Sequence, residues 1–300
     1  MTNRLSIIIP AFSGLEQTRR CMQSLGESHY QDFEIILVDH GVSDELSRMA
    51  KDEFPLVNCL RGSAELWWSG ASNLGIKYAL EAGSEWLMLI NHDCYVQPET
   101  IGILVDNLER NENAIIAPVQ HILREKRDVI GITSCFLLGF TTIIPPAGWY
   151  RFRYPAGLVP TPLISGGRGV ILSAATFQRV GMLDDECLPH YGADHDFYFR
   201  CRKAGLQLFI CRDARVDIDD HMTSSANSDS NLNLAELAAA LKDRGSHRNI
   251  RDLRVLFSRY YPIPGLSILG VALNTVRFLF MFQARKISGM LNGNTNNTDS

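Results

Sequence analysis

Along the first third of the chain, short apolar runs alternate with stretches of helical spacing. The apolar runs are Leu5–Ile9, Phe33–Val38, Leu56–Leu60, Trp86–Ile90 and Ala114–Pro118. Nothing within them alternates, which suits strands buried on both faces of a parallel sheet. Between them, Gly14–Leu25 and Ala71–Glu81 read as helices. So do a segment capped by Ser43 that runs to about Glu53 and one opened by Pro98 that runs to about Arg110. This rhythm predicts an α/β fold, a doubly wound and mostly parallel sheet flanked by helices with right-handed crossovers.

Beyond Pro118 the pattern changes. Residues 120–162 are rich in Pro, Gly and aromatics and predict short strands and loops. Leu163–Leu172 reads as a strand interrupted by Gly166-Gly167-Arg168-Gly169. Helices are expected at Ala174–Val180 and Ala193–Ala204, and strands at Gln207–Cys211 and Arg215–Ile218. The polar tail Asn292–Ser300 has the composition of a disordered segment.

A basic stretch, Lys242, Arg244, Arg248, Arg251, Arg254 and Arg259, precedes the apolar segment Gly265–Phe282. Asn274 and Arg277 break that segment, whereas a spanning helix needs ~20 apolar residues and tolerates a central Arg poorly. Ser267, Gly270, Asn274, Arg277 and Arg285 recur at helical spacing. Two readings follow: an amphipathic helix in peripheral contact with a membrane, its basic neighbours meeting anionic lipid, or a helix packed on the domain or in a dimer interface.

Composition narrows the class. With 300 residues, 46% hydrophobic and 21% charged, the chain can bury a sizeable core. A formal net charge of -4 gives no sign of a nucleic-acid partner. The 7 cysteines are scattered and odd in number, with no CxxC pair, so reduced thiols are expected rather than disulfides or a thiolate zinc site. The N-terminal apolar run is too short for a signal peptide, and a cytoplasmic location is expected.

In open α/β sheets ligands bind beyond the carboxyl ends of the strands. Asp39 and Asn91-His92-Asp93 fall at those ends. Asp39 can accept the N3–H of a uracil or thymine ring, or can serve as a turn or capping residue. Trp67-Trp68-Ser69-Gly70-Ala71-Ser72-Asn73-Leu74-Gly75 reads as a loop entering a helix, where small residues let backbone N–H groups approach a phosphate. Its tryptophans serve equally as core. Asp194 opens a helix, where it can serve as the N-cap. Asp196 stands four residues before Arg200, the spacing of a helical ion pair. His221 lies among Asp217, Asp219 and Asp220, as a metal ligand or a surface His.

The ordered segments SIIIPAF, EIILVDHGVSDE, LWWSGASNLGIKYAL, WLMLINHDCYVQPE, ISGGRGVILSAATFQRVGMLDD and HYGADHDFYFRCRKAGLQL resemble a family 2 glycosyltransferase of the GT-A fold over roughly residues 4–222. The resemblance implies a catalytic domain over 1–222, with a nucleotide-sugar-binding half (1–118) and an acceptor half (119–222). A helical extension (223–291) and the tail (292–300) follow. It implies inverting transfer from a UDP- or dTDP-sugar, rhamnose-like by resemblance, to a saccharide or lipid-linked saccharide hydroxyl in polysaccharide biosynthesis. Pro10, Ala11, Phe12, Asp39, Trp68, Asn73, Asn91, His92, Gly167 and Arg168 would line the nucleotide-sugar site. Asp194 would be the general base. Asp93 and His221 would hold Mg²⁺ or Mn²⁺, with the donor's phosphates completing the shell.

Three positions depart from the family pattern: His40 replaces a second Asp, Asn91 the first acid of Asp-x-Asp, and Ala193 a common Glu. A nucleotidyltransferase would need a glycine-rich basic loop after the first strand, and a dinucleotide oxidoreductase needs GxGxxG there. Pro10-Ala11-Phe12-Ser13-Gly14 offers neither. The remaining alternative is a non-catalytic nucleotide-sugar or glycan-binding module on the same fold.

Overall fold

The computed structural model describes residues 5–143, 152–154, 156–219, 239, 241–246 and 248–295. His221 lies outside them, as do residues 296–300. The chain forms two compact units, one of residues 1–133 and 143–222, the other of 134–142 and 223–300.

The first unit opens with β1 (Leu5–Ala11), α1 (Leu15–Gly26), β2 (Phe33–Asp39), α2 (Glu45–Glu53), β3 (Asn58–Arg61) and α3 (Trp67–Glu81). Next come β4 (Trp86–Ile90), β5 (Cys94–Val96), α4 (Thr100–Glu109) and β6 (Ala114–Ile122). Short strands β7 (Arg127–Val129) and β10 (Leu158–Pro160) precede β11 (Arg168–Ser173), and between them β8 (Thr133–Cys135) and β9 (Thr141–Ile143) lie mostly in the second unit. The unit continues with α5 (Ala175–Val180), α6 (Ala193–Lys203) and β12 (Gln207–Ile218).

The main sheet runs β10-β12-β6-β11-β4-β1-β2-β3. The pairs β1/β2, β1/β4, β2/β3 and β6/β12 are parallel. β11 lies antiparallel between β4 and β6. Every residue of β1 and β4 is buried, as their unbroken apolar runs require. Strand order reverses at β1/β4, which places a crevice beyond their carboxyl ends.

Several boundaries differ from the sequence reading. Asp44, not Ser43, is the N-cap residue of α2. α3 begins at Trp67, so the small-residue segment is helix rather than loop. α4 starts at Thr100 with Pro98 outside it. Gln207–Ile218 is one strand, and its register against β6 shifts between Cys211 and Arg215. That irregularity is why the sequence reads as two strands.

The second unit holds α7 (Ile250–Tyr260) and α8 (Ser267–Thr295). Asn249 caps α7 by accepting the N–H groups of Arg251 and Asp252. Phe136 packs on Phe257 edge-on, ring centroids 5.4 Å apart. A Cβ on Gly270 would lie 2.3 Å from the Phe257 ring, so a glycine is required where α8 crosses α7.

Candidate functional site

The crevice is built by turns that touch one another. His40 N–H bonds the Ala11 carbonyl at 3.0 Å, joining the turns after β1 and β2. A Cβ on Gly41 would come within 2.3 Å of the Phe12 carbonyl. His92 reaches across to the same place. Its ring donates to the Pro10 carbonyl, and its Nε2 would lie 2.9 Å from any Cβ at Gly14. Thus Pro10, Ala11, Phe12, Asp39 and His92 come together at the carboxyl ends of β1, β2 and β4.

Asp39 is wholly buried and fully engaged. Oδ1 accepts from Gly41 N–H at 3.0 Å and pairs with Arg61 Nη1 at 2.5 Å. Oδ2 accepts from the Ser47 N–H and hydroxyl. A carboxylate offers about four lone-pair sites, and all are used to hold the 40–47 turn. This is the geometry of a turn-forming Asp. His40 beside it is buried against Phe12, ring centroids 5.4 Å apart, and its Nδ1 has no hydrogen-bond partner.

Burial pushes the His40 imidazole down to about 4, against the opposing pull of Asp39. The unfolded chain, with an ordinary value of about 6.5, takes up the proton first. Stability therefore falls as pH drops from about 6.5 towards 4, and is unaffected above that window. About 2 kcal/mol should be lost between pH 7 and 5 through this group. Urea unfolding of wild type and His40→Asn at both pH values checks it: the variant should lose less.

Trp68 and Asn91 interlock. The indole Nε1 donates to Asn91 Oδ1 at 2.9 Å. Because an indole nitrogen only donates, this bond fixes which way the amide points. Gly167 lies against both, since a Cβ there would meet Trp68 Cζ2 at 2.8 Å. Trp67 has a φ of 52°, a sparsely populated region for a bulky residue. Its ring packs against His190 at 5.6 Å. Asn73, by contrast, spends both ends of its carboxamide on the Leu183 backbone, at 2.9 and 3.1 Å. Its side chain is a clamp between α3 and the 183 turn.

One short loop links the remaining groups. Gly166, at φ +68°, donates its N–H to Asp194 Oδ2 at 2.8 Å, and its carbonyl accepts from the Tyr198 hydroxyl. Gly167 carbonyl accepts the Asn91 N–H at 2.7 Å. Arg168 pairs with Gln120 at 3.2 Å, and Gln120 in turn holds the Ser165 carbonyl. Asp194 sits in the first turn of α6, whose N-cap is Gly192 at φ 89°, so its carboxylate is not the cap. His195 Nδ1 stands 3.5 Å from Asp194 Oδ1. Asp196 makes the expected ion pair with Arg200, at 2.8 Å.

Asp93 lies just beyond β4. Its carbonyl accepts the Asp219 N–H at 2.9 Å, and the Asp219 carboxylate receives the Tyr95 hydroxyl at 2.9 Å. Burial raises the Cys21 and Cys94 thiols near Asp93, and its negative charge raises them further. The Asp93 carboxylate is a hard oxygen donor of the kind that Mg²⁺ and Mn²⁺ take. Among the described residues no group of three His, Cys, Asp or Glu side chains gathers as a metal cluster. Asp219 brings the chain to within two residues of His221.

Sequence reasoning missed Arg61, Gln120 and Tyr198, and named Asp219 only as a neighbour of His221. Tyr198 was findable, one helical turn after Asp194. Arg61 stands at the carboxyl end of β3, where ligand-facing groups are expected. Gln120 carries no signal outside the folded chain.

A mixed sheet with its crevice at the β1/β4 reversal, closed by a glycine loop and an acid-bearing helix, defines the GT-A glycosyltransferase fold. Residues 6–168 match the family model described as Glycosyl transferase family 2. This is more than half of the chain, and the chain belongs to that family. It is 28% identical over 147 residues to the dTDP-rhamnosyl transferase RfbF of Shigella flexneri, covering 49% of this chain and 46% of the relative. It is 32% identical over 100 residues to the uncharacterized glycosyltransferase YibD of Escherichia coli, covering 32% and 28%. The matched part thus spans less than half of either relative. Among solved structures, GalNAc-T7 with UDP, GalNAc and Mn²⁺ superposes with TM-score 0.60 at 15% identity, covering 93% of this chain and 54% of that one. Staphylococcus aureus TarS 1–349 in complex with UDP gives 0.56 at 10%, covering 96% and 92%.

Proposed function

We propose that this protein is an inverting, metal-dependent glycosyltransferase that moves a sugar from a UDP- or dTDP-sugar onto a saccharide hydroxyl, free or lipid-linked. The observation that carries the reading is the Gly166-Gly167 loop. It bonds Asp194 through one N–H and Asn91 through the next carbonyl. The loop ties Asp194, which acts as the base in this reading, to the turn after β4 that carries Asp93, its metal ligand.

In this reading the acceptor oxygen attacks the anomeric carbon as the bond to the diphosphate breaks on the opposite face. The hydroxyl proton passes to the Asp194 carboxylate. Its Gly166 hydrogen bond orients the carboxylate before the acceptor arrives. Mg²⁺ or Mn²⁺ on Asp93, with His221 as a further ligand, would neutralise charge on the leaving diphosphate. Arg168 lies on the same loop, where a guanidinium can meet a phosphate. Asp39 is spent on its own turn, so nucleobase contact falls to the exposed Phe12 ring of the neighbouring turn. The rhamnosyl relative and the UDP-bound neighbours support a pyrimidine nucleotide donor.

Thermal unfolding with UDP, dTDP, GDP and CDP, each with and without Mn²⁺ or Mg²⁺, tests the reading. A ligand present at 100 times its Kd stabilises the native state by about 2.7 kcal/mol. UDP or dTDP should raise Tm, and more with metal. A folded protein that responds to none of the four would be a glycan-binding module instead.

A further inference from the structure

The second unit carries a helix whose polarity is inverted relative to an ordinary surface helix. Between Ser267 and Phe280 of α8, Asn274 and Arg277 point inward. Asn274 is buried and donates to the Gly139 carbonyl at 2.7 Å. Arg277 donates to the carbonyls of Leu138 and Gly139 at 3.0 and 3.2 Å. Gly270, Val271 and Phe278 share that inward side. The outward side is apolar: Ile268 is 71% exposed, Leu269 48%, Leu273 40%, Val276 62% and Phe280 73%, with Leu279 at its margin. On a helical projection these residues, with Ala272, form one continuous face. From Ile268 to Phe280 it is about 20 Å long. The loop before it adds exposed Ile263 and Leu266. A patch of this extent marks an interaction surface. Among the described residues no helix is long and apolar enough to cross a membrane.

Charge decides what covers it. Residues 241–280 contain seven Lys and Arg (Lys242, Arg244, Arg248, Arg251, Arg254, Arg259 and Arg277) against two acids, Asp243 and Asp252. The segment is thus net positive within a chain of formal net charge -4. Asp252 is buried, while Arg251 and Arg254 are exposed on α7. Two copies meeting through this face would bring like charge to like charge, a cost at any isologous contact. An anionic lipid surface complements both features at once: acyl chains take the apolar face and phosphate headgroups the arginines. We propose that the outward apolar face of α8, carried by this net-positive segment, docks the protein on an anionic lipid surface.

Flotation of the full chain with vesicles of phosphatidylcholine alone, or with one quarter phosphatidylglycerol, tests this. The protein should float with the anionic vesicles, and less so in high salt, which screens headgroup charge. The double change Val276→Asp with Phe280→Asp alters only exposed positions and should lower binding at least tenfold with an unchanged thermal melt. Arg251→Glu with Arg254→Glu should remove the preference for phosphatidylglycerol. Equal behaviour with both vesicle types, or flotation indifferent to both double variants, overturns the proposal. So does a dimer seen by light scattering that the Asp variant dissociates, in protein that never floats.

Discussion

Asp194→Asn is expected to reduce sugar transfer by about 10²–10⁴-fold, the usual contribution of a positioned general base. It should leave nucleotide affinity unchanged. The amide oxygen can still accept the Gly166 N–H that Asp194 Oδ2 now receives, so the loop keeps its anchor. What is lost is the ability to take the acceptor's proton. Single-turnover transfer measured beside nucleotide-induced Tm shifts separates these outcomes. Equal loss of binding and turnover would mean Asp194 shapes the loop rather than acting on the acceptor. Unchanged turnover would remove it from the chemistry.

Asp93→Ala is expected to abolish the metal-dependent part of the nucleotide-induced Tm shift. It should also lower turnover on the order of 10³-fold, matching the several kcal/mol that a Lewis acid contributes. The fold should tolerate the change. The bond from Asp219 N–H uses the Asp93 carbonyl, which alanine retains. Among the described residues the side chain accepts only from the Cys94 thiol, at 3.6 Å, a weak donor. If wild type binds nucleotide equally well with and without metal, Asp93 is not holding the ion. A second measurement, Mn²⁺ binding followed by electron paramagnetic resonance with UDP present, reads the same site without turnover.

The two experiments probe opposite ends of one bridge, and their independence can be checked. Asp93 and Asp194 are joined through Asn91, Gly167 and Gly166 by hydrogen bonds that use backbone atoms on three of the four groups. Neither substitution removes a backbone donor or acceptor. Turnover lowered by both substitutions, with the metal-dependent part of the nucleotide-induced Tm shift lost only in Asp93→Ala, would therefore assign the roles cleanly.

The sequence by itself determined the alternation of strands and helices in the first half, the helix carrying Asp194, and the Asp196–Arg200 pair. Those follow from local rules: buried strands read as unbroken apolar runs, and helical neighbours fall four residues apart. It also placed Asp39 and Asp93 at strand ends, where an open sheet presents its crevice. Tertiary structure alone decided what those groups do. Asp39 is consumed by Ser47 and by Arg61 of β3, partners that no local spacing announces. Trp68 meets Asn91 across 23 residues, and Asn73 meets Leu183 across 110. In α8 the helical spacing of Asn274 and Arg277 was legible, but which face would meet the protein was not. Asn274 and Arg277 turn inward because the carbonyls of Leu138 and Gly139 give them partners there. A buried polar group is stable only where it is bonded, and those partners come from a segment more than 130 residues away.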